Sequence, residues 1–143
     1  MGTPNTIFIE SADRAPLVRE ALAVGAMTPG NLVERTAGGF QRHSSAGGAS
    51  QKLFSLENIA DAGNIDRDYA VGETSRAGYA LNGDLVYGLV AAGAAAIADG
   101  QALESAGDGT LRVLAAGEIV GYAREAVDNS GGGTIVRIQL EVA

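Results

Sequence analysis

Apolar and polar positions alternate most cleanly at residues 135–142. There Val136, Ile138, Leu140 and Val142 interleave with Ile135, Arg137, Gln139 and Glu141. A period of two gives a strand one apolar face and one mostly polar face. The same period runs through 85–90, with Leu85, Tyr87 and Leu89 on one face and Val86, Gly88 and Val90 on the other. Both of those faces are mostly apolar, so this strand is expected to be covered on two sides. Shorter strands are expected over 6–10, 31–36, 111–114 and 118–127, while the apolar stretch 52–59 has no clear period. Residues 13–24 admit two readings. Leu17, Val18, Ala21 and Leu22 recur at helical spacing behind Ser11, but Pro16 confines such a helix to barely two turns. Leu17, Arg19, Ala21 and Ala23 alternate equally well with Val18, Glu20, Leu22 and Val24, as in a strand. Residues 91–98 are rich in Ala, yet eight residues interrupted by Gly93 make a turn or one short coil rather than a stable helix.

Turn signals punctuate these segments. In Thr28-Pro29-Gly30-Asn31, Pro presets φ and Gly supplies a positive φ, the type II pattern. Asn82-Gly83-Asp84 marks another turn, and Pro29-Gly30-Asn31-Leu32-Val33 echoes Asn82-Gly83-Asp84-Leu85-Val86, although no exact repeat runs through the chain. Residues 40–50 are polar and small, the composition of a mobile surface loop. Residues 128–133 read as a flexible hairpin loop, so pairing of 121–126 with 135–140 across it is expected. Glycine fills 21 of 143 positions, about twice the typical ~7%. Without a three-residue period this excludes collagen, and many turns between short strands account for it where a helical bundle would not. The reading is a mainly β chain, a small β-barrel or β-sandwich-like single domain over 11–143. An extended N-terminal arm over 1–10 and long loops complete it.

Charge and composition narrow the partners. The chain has no cysteine, hence no disulfide framework and no thiolate metal site. No apolar run approaches the ~20 residues that span a bilayer. Residues 1–10 carry no basic segment followed by an apolar core, so a secretory signal is not expected and neither is a membrane partner. A net charge of −7 opposes non-specific attraction to nucleic acid, which comes from cations displacing counterions. Nine of the ten cations are Arg, a choice that suits bidentate pairing at packed interfaces and equally follows from the codon bias of a GC-rich genome.

Candidate chemistry is sparse. His43, the single histidine, is flanked by Ser44 and Ser45, but a Ser-His-acid site needs its members on rigid structure, and the bland reading is a solvated loop residue. Asp99, Glu104 and Asp108 offer oxygens to a hard cation, yet their spacing does not match the twelve-residue calcium loop and Asp-Gly pairs are ordinarily turns. Gly107-Asp108-Gly109 and Gly131-Gly132-Gly133 open no helix, so neither is a phosphate cradle. Without Trp there are few stacking platforms for single strands or sugars. Tyr69, Tyr79, Tyr87 and Tyr122 are expected as sheet and interface residues. No catalytic, cofactor-binding or metal residue is assigned. A small β-barrel enzyme or a carbohydrate-binding module is the alternative class.

One resemblance adds to this. Asn82-Gly83-Asp84-Leu85-Val86, Ala96-Ile97-Ala98-Asp99-Gly100-Gln101-Ala102-Leu103 and Gly107-Asp108-Gly109-Thr110-Leu111 form a spaced series. Val120-Gly121-Tyr122-Ala123-Arg124-Glu125-Ala126 and Ile135-Val136-Arg137-Ile138 continue it. The series resembles small capsid decoration (cement) proteins of tailed bacteriophages. It covers the C-terminal half, and only Met27-Thr28-Pro29-Gly30-Asn31-Leu32-Val33-Glu34 extends it into the N-terminal half. The resemblance favours strand over helix for 13–24. It implies a non-enzymatic virion protein, assembled in the host cytoplasm, that binds the outside of the major capsid protein lattice as a homotrimer and braces it against internal DNA pressure. It implies neither cofactor nor direct nucleic-acid contact. On that reading the candidate contacts are Ile7, Phe8 and Ile9 of the arm and Phe40, Arg42 and His43 of the 40–50 loop.

Overall fold

Four strands begin immediately after the same small device. A computed structural model describes residues 4–12 and 14–143 of the chain. In it Thr28–Asn31, Ala70–Glu73, Leu81–Asp84 and Ala98–Gln101 each form a four-residue turn. The last N–H of each turn donates to the first carbonyl at 2.9–3.1 Å. Gly30, Gly72, Gly83 and Gly100 occupy the third position at φ of 97, 86, 91 and 85°, the region where a side chain is disfavoured. The fourth side chain then turns back onto the first N–H: Asn31, Glu73, Asp84 and Gln101 accept from Thr28, Ala70, Leu81 and Ala98 at 2.7–2.9 Å. Each buckle satisfies a backbone donor that would otherwise be stranded at a sheet end.

The strands that follow make two five-stranded units. The first contains β2 (Leu17–Leu22), β3 (Leu32–Thr36), β4 (Gly39–Arg42), β5 (Leu53–Ser55) and β6 (Thr74–Tyr79), in the spatial order β2-β6-β5-β3-β4. The second contains β7 (Leu85–Val90), β8 (Ala102–Ser105), β9 (Leu111–Val113), β10 (Gly121–Ala123) and β11 (Val136–Val142), ordered β7-β11-β10-β8-β9. First, fifth, fourth, second and third strand therefore neighbour one another in both. Both close with a parallel contact between first and third, Ala23 beside Phe40 in one and Val90 beside Leu111 in the other. All other neighbours are antiparallel. The only helical piece among the described residues is the 3-10 turn Ile59–Asp61.

The match extends to single hydrogen bonds. Gly30 N–H donates to Ser55 O, and Gly100 N–H to Ala123 O, both at 2.8 Å. Met27 exchanges two backbone bonds with Tyr69, and Ile97 exchanges two with Val127. Ala80 N–H reaches Lys52 O, and Ala143 N–H reaches Val120 O. These registers equate Ala23 with Val90, Met27 with Ile97, Val33 with Leu103, Phe40 with Leu111, Leu53 with Gly121, Tyr69 with Val127 and Ala77 with Leu140. Those seven residues of the first barrel are one buried cluster; six of their seven counterparts lie in or against the other. Side-chain size is redistributed between them. The first barrel combines Ala23 and Ala77 with Phe40 and Tyr69, whereas the second combines Val90 and Leu140 with Leu111 and Val127. Two such fillings of one frame reach close packing with different residues.

The barrels meet along a continuous apolar seam. Leu32, Phe54 and Leu56 of the first join Ile7, Val86 and the interior of the second in a single cluster. Strand β1 (Phe8–Glu10) precedes the first barrel in the chain, yet it is the sixth strand of the second barrel's sheet, with Phe8 opposite Val86. Ile7 is fully buried, so the expected arm is integrated into the fold from residue 7 onward, because its apolar residues are what fills the seam. The 40–50 stretch is likewise no free loop. Phe40 lies on β4 at 0% exposure and His43 at 2%. Small residues there permit close backbone approach: Gly47 N–H donates to Ser105 O, and Glu118 N–H to Gly47 O. Residues 17–22 are strand, since six consecutive pairs with β6 outweigh local helical spacing. The 121–126 strand does pair with the last strand, over Gly121–Ala123. The 128–133 loop is pinned by buried Asn129, whose amide donates to Ala91 O and Thr134 O at 2.9 Å.

Candidate interaction surface

Polar side chains bolt the seam. Nδ1 of His43 lies 2.7 Å from Ser105 Oγ, and Nε2 lies 2.9 Å from Ala49 O. A carbonyl only accepts, so Nε2 carries a proton, and in the neutral ring Nδ1 accepts from Ser105. Ser105 Oγ also accepts from Gly107 N–H. This is a Ser–His contact, but Ser105 is 0% exposed and the second imidazole nitrogen faces a carbonyl where a triad would need an acid. With both partners shut inside the seam, no substrate reaches them in the closed fold.

Arg137 is the second bolt. Sequence alternation puts it on the polar face of the last strand, yet its side chain is only 13% exposed. Nη1 donates to Pro29 O at 2.8 Å, Nη2 donates to Ile65 O, and the guanidinium sits 5.5 Å from the Tyr87 ring centre. Burial pulls the guanidinium below its ordinary value, while Asp66 and Tyr87 act in the opposite direction. Tyr87 is raised by its own burial.

The candidate cation oxygens are engaged otherwise. Glu104, 1% exposed on its side chain, pairs with Arg112 at 2.9 Å and accepts from Gly117 N–H at 2.7 Å. Its register equivalent Glu34 accepts from Gln41 and Ser44 at 2.7 and 2.6 Å. Burial acts to raise both carboxyls, but these hydrogen bonds, with Arg112 in one case, hold both below the ordinary value. Asp108 accepts from the backbone N–H and hydroxyl of Thr110. Asp99 projects from an exposed turn. Among the described residues no group of three or more His, Asp or Glu is gathered around a metal-sized space.

The six candidate contact residues separate into two groups. Ile7, Phe40 and His43 are interior, where they hold the chain's own fold. Phe8 packs partly against the seam cluster, Ile9 is half-buried, and Arg42 is exposed. Exposed large apolar side chains lie elsewhere, chiefly on the first barrel: Leu22 at 53%, Val24 at 43%, Ile59 at 62% and Val71 at 68%. Glu20, Ile59, Tyr69, Thr74 and Arg76 line a groove of about 340 Å³ on the same barrel. Sequence reading missed this surface because Leu22 and Val24 alternate like core residues. Only the sheet shows that the face they occupy is uncovered.

Two equivalent closed barrels, with the single strand β1 added at the edge of the second, define the chain as an all-β tandem. Its fold is similar to that of a solved structure, the N base of head fiber gp8.5 in bacteriophage phi29. The TM-score is 0.59 at 15% identity, over 90% of this chain and 95% of that one. At that identity the likeness is one of fold. No family model matches the sequence, and no curated protein does.

Proposed function

We propose that this chain is a structural protein of a phage virion, placed on the outside of the head as a decoration or cement protein and without enzymatic activity. The observation that carries this reading is the similarity of its fold, over 90% of the chain, to a head-fiber base, reached independently of the sequence pattern that resembles decoration proteins. Such a protein acts through its outer surface. Its interior polar groups are bonded within the chain: His43 to Ser105, Glu104 to Arg112 and Gly117 N–H, and Arg137 to the carbonyls of Pro29 and Ile65. The reading extends to a homotrimer on the major capsid protein lattice, bracing the shell against internal DNA pressure and joining it after assembly in the host cytoplasm. A trimer repeats one modest contact three times, and the second and third engage at high effective concentration. Exposed Arg42 and the partly buried Phe8 and Ile9 remain the lattice-contact candidates.

Co-sedimentation with empty, expanded heads tests it. Saturable pelleting with a fixed number of copies per head is expected. Protein that stays in the supernatant at micromolar concentration beside intact heads overturns the reading.

A further inference from the structure

The two barrels are equivalent in topology and register but differ in what covers them, and the differences are complementary. Turn Thr28–Asn31 of the first barrel is pressed onto the outer face of β7 and β11. A Cβ added at Gly30 would lie 2.7 Å from Tyr87 O and 2.8 Å from Arg137 Nη1. Pro29 and Gly30 are buried, and Thr28 lines one groove with Leu89 and Arg137. The equivalent turn of the second barrel, Ala98–Gln101, has no such cover. Ala98, Asp99 and Gly100 are exposed, and a Cβ at Gly100 would meet nothing within 4 Å.

The receiving face shows the reverse. Leu22 stands opposite Thr74 as Leu89 stands opposite Arg137, one residue before the equivalent parallel closures. Tyr87, Leu89 and Arg137 thus correspond to Glu20, Leu22 and Thr74. The first three are buried or nearly so. The second three are exposed, with Leu22 at 53%, beside the groove that Arg76 lines. One molecule therefore carries an unused turn at one end and an unused turn-receiving face at the other.

We propose that a second copy of this chain fills that face: turn Ala98–Gln101 of one molecule docks on Glu20, Leu22 and Thr74 of the next, repeating between chains the contact made within the chain. The proposal rests on the oligomeric part of the function above and names its surface. Asp99 occupies the turn position equivalent to Pro29, which Arg137 grips within the chain. Arg76, two residues from Thr74 and opposite Glu20 in the ladder, lies on this face, and in the intermolecular contact Asp99 shares it with Glu20. The contact is heterologous, so it generates a closed ring when its rotation closes.

The absence of cysteine makes the test direct. Leu22→Cys and Ala98→Cys variants, mixed in equal amounts and oxidised, are expected to give a mixed disulfide dimer well above either variant alone. A link between two different single-cysteine chains cannot form within one molecule. In light scattering, Leu22→Asp and Asp99→Arg are each expected to shift the wild-type oligomer at least tenfold toward monomer. Combining Arg76→Glu with Asp99→Arg is expected to restore it, with unchanged circular dichroism throughout. An oligomer indifferent to these substitutions overturns this surface and leaves the virion reading standing. A wild type monomeric at hundreds of micromolar, without the mixed disulfide, also overturns it, and head binding is then judged separately by co-sedimentation.

Discussion

The first barrel keeps large aromatics inside and leaves most of the exposed apolar side chains outside; the second fills its interior with aliphatics and buries more of its outer face. Phe40 and Tyr69 fill the first interior, while its outer β2 face exposes Leu22. Leu111 and the partly buried Val127 occupy the equivalent positions of the second, whose outer β7 face buries Tyr87 and Leu89. One backbone frame thus accepts two interiors, and what separates the barrels is which outer surface a neighbour already occupies. The lesson is that ladder geometry, not residue identity, is the repeated quantity.

Removing the largest side chain at one equivalent pair tests whether both interiors bear the fold. Phe40→Ala is expected to cost ~3–5 kcal/mol and Leu111→Ala ~2–5 kcal/mol, each in a single urea transition, because the seam cluster joins the two barrels. Two separated transitions would show that the barrels unfold independently.

The next largest effect belongs to the strand that only the second barrel has. Deleting residues 1–10 removes β1 and Ile7, whose burial alone is worth ~1.5–3 kcal/mol. Deleting only residues 1–5 should stay within ~0.5 kcal/mol of wild type. Equal melting temperatures for the two truncations would mean that β1 contributes nothing to the seam.

Gly30 and Gly100 sharpen the comparison further. Alanine at either meets the left-handed backbone penalty of ~1–2 kcal/mol. Only Gly30→Ala also collides with Tyr87 O and Arg137, an overpacking cost of ~1–3 kcal/mol more. Chemical denaturation of the two variants measures that difference, and identical losses would contradict the docked turn.

The smallest effect is on pH dependence. Glu34 and Glu104 are both held below their ordinary value of 4.5. Their stabilisation is therefore present above that value and lost as pH falls through their lower folded values. Wild-type melting temperature should decline below about pH 4.5. Glu104→Gln should decline less steeply over that range while being less stable at pH 7. A variant with the wild-type slope would remove Glu104 from the account.

Much of the fold was legible in the sequence. The period-two pattern of 135–142 and 85–90 placed β11 and β7, and Thr28-Pro29-Gly30-Asn31 placed a turn correctly, since these signals are local. The echo between Pro29-Gly30-Asn31-Leu32-Val33 and Asn82-Gly83-Asp84-Leu85-Val86 was a genuine shared device, but it does not mark the repeat. The register partner of Gly30 is Gly100. That repeat was hidden because equivalent positions, such as Phe40 and Leu111 or Leu53 and Gly121, share hydrogen bonds and not side chains. His43 escaped because its small, polar neighbours imply mobility, whereas here they let two backbones touch at Gly47 and Gly117. The uncovered β2 face was unreadable for a different reason: alternation reports which side chains share a face, not whether anything lies against it.

Strand β1 has a consequence for how the chain matures. It is made before any residue of the first barrel, yet its partner β7 is not synthesised until 85–90. All five strands of the first barrel can pair while β1 still lacks its strand partner, and Ile7 then has only first-barrel neighbours such as Leu32 and Glu57. The opening segment of the polypeptide is therefore among the last to settle, and ribosomal pausing before residue 85 would prolong the time that its apolar side chains face water.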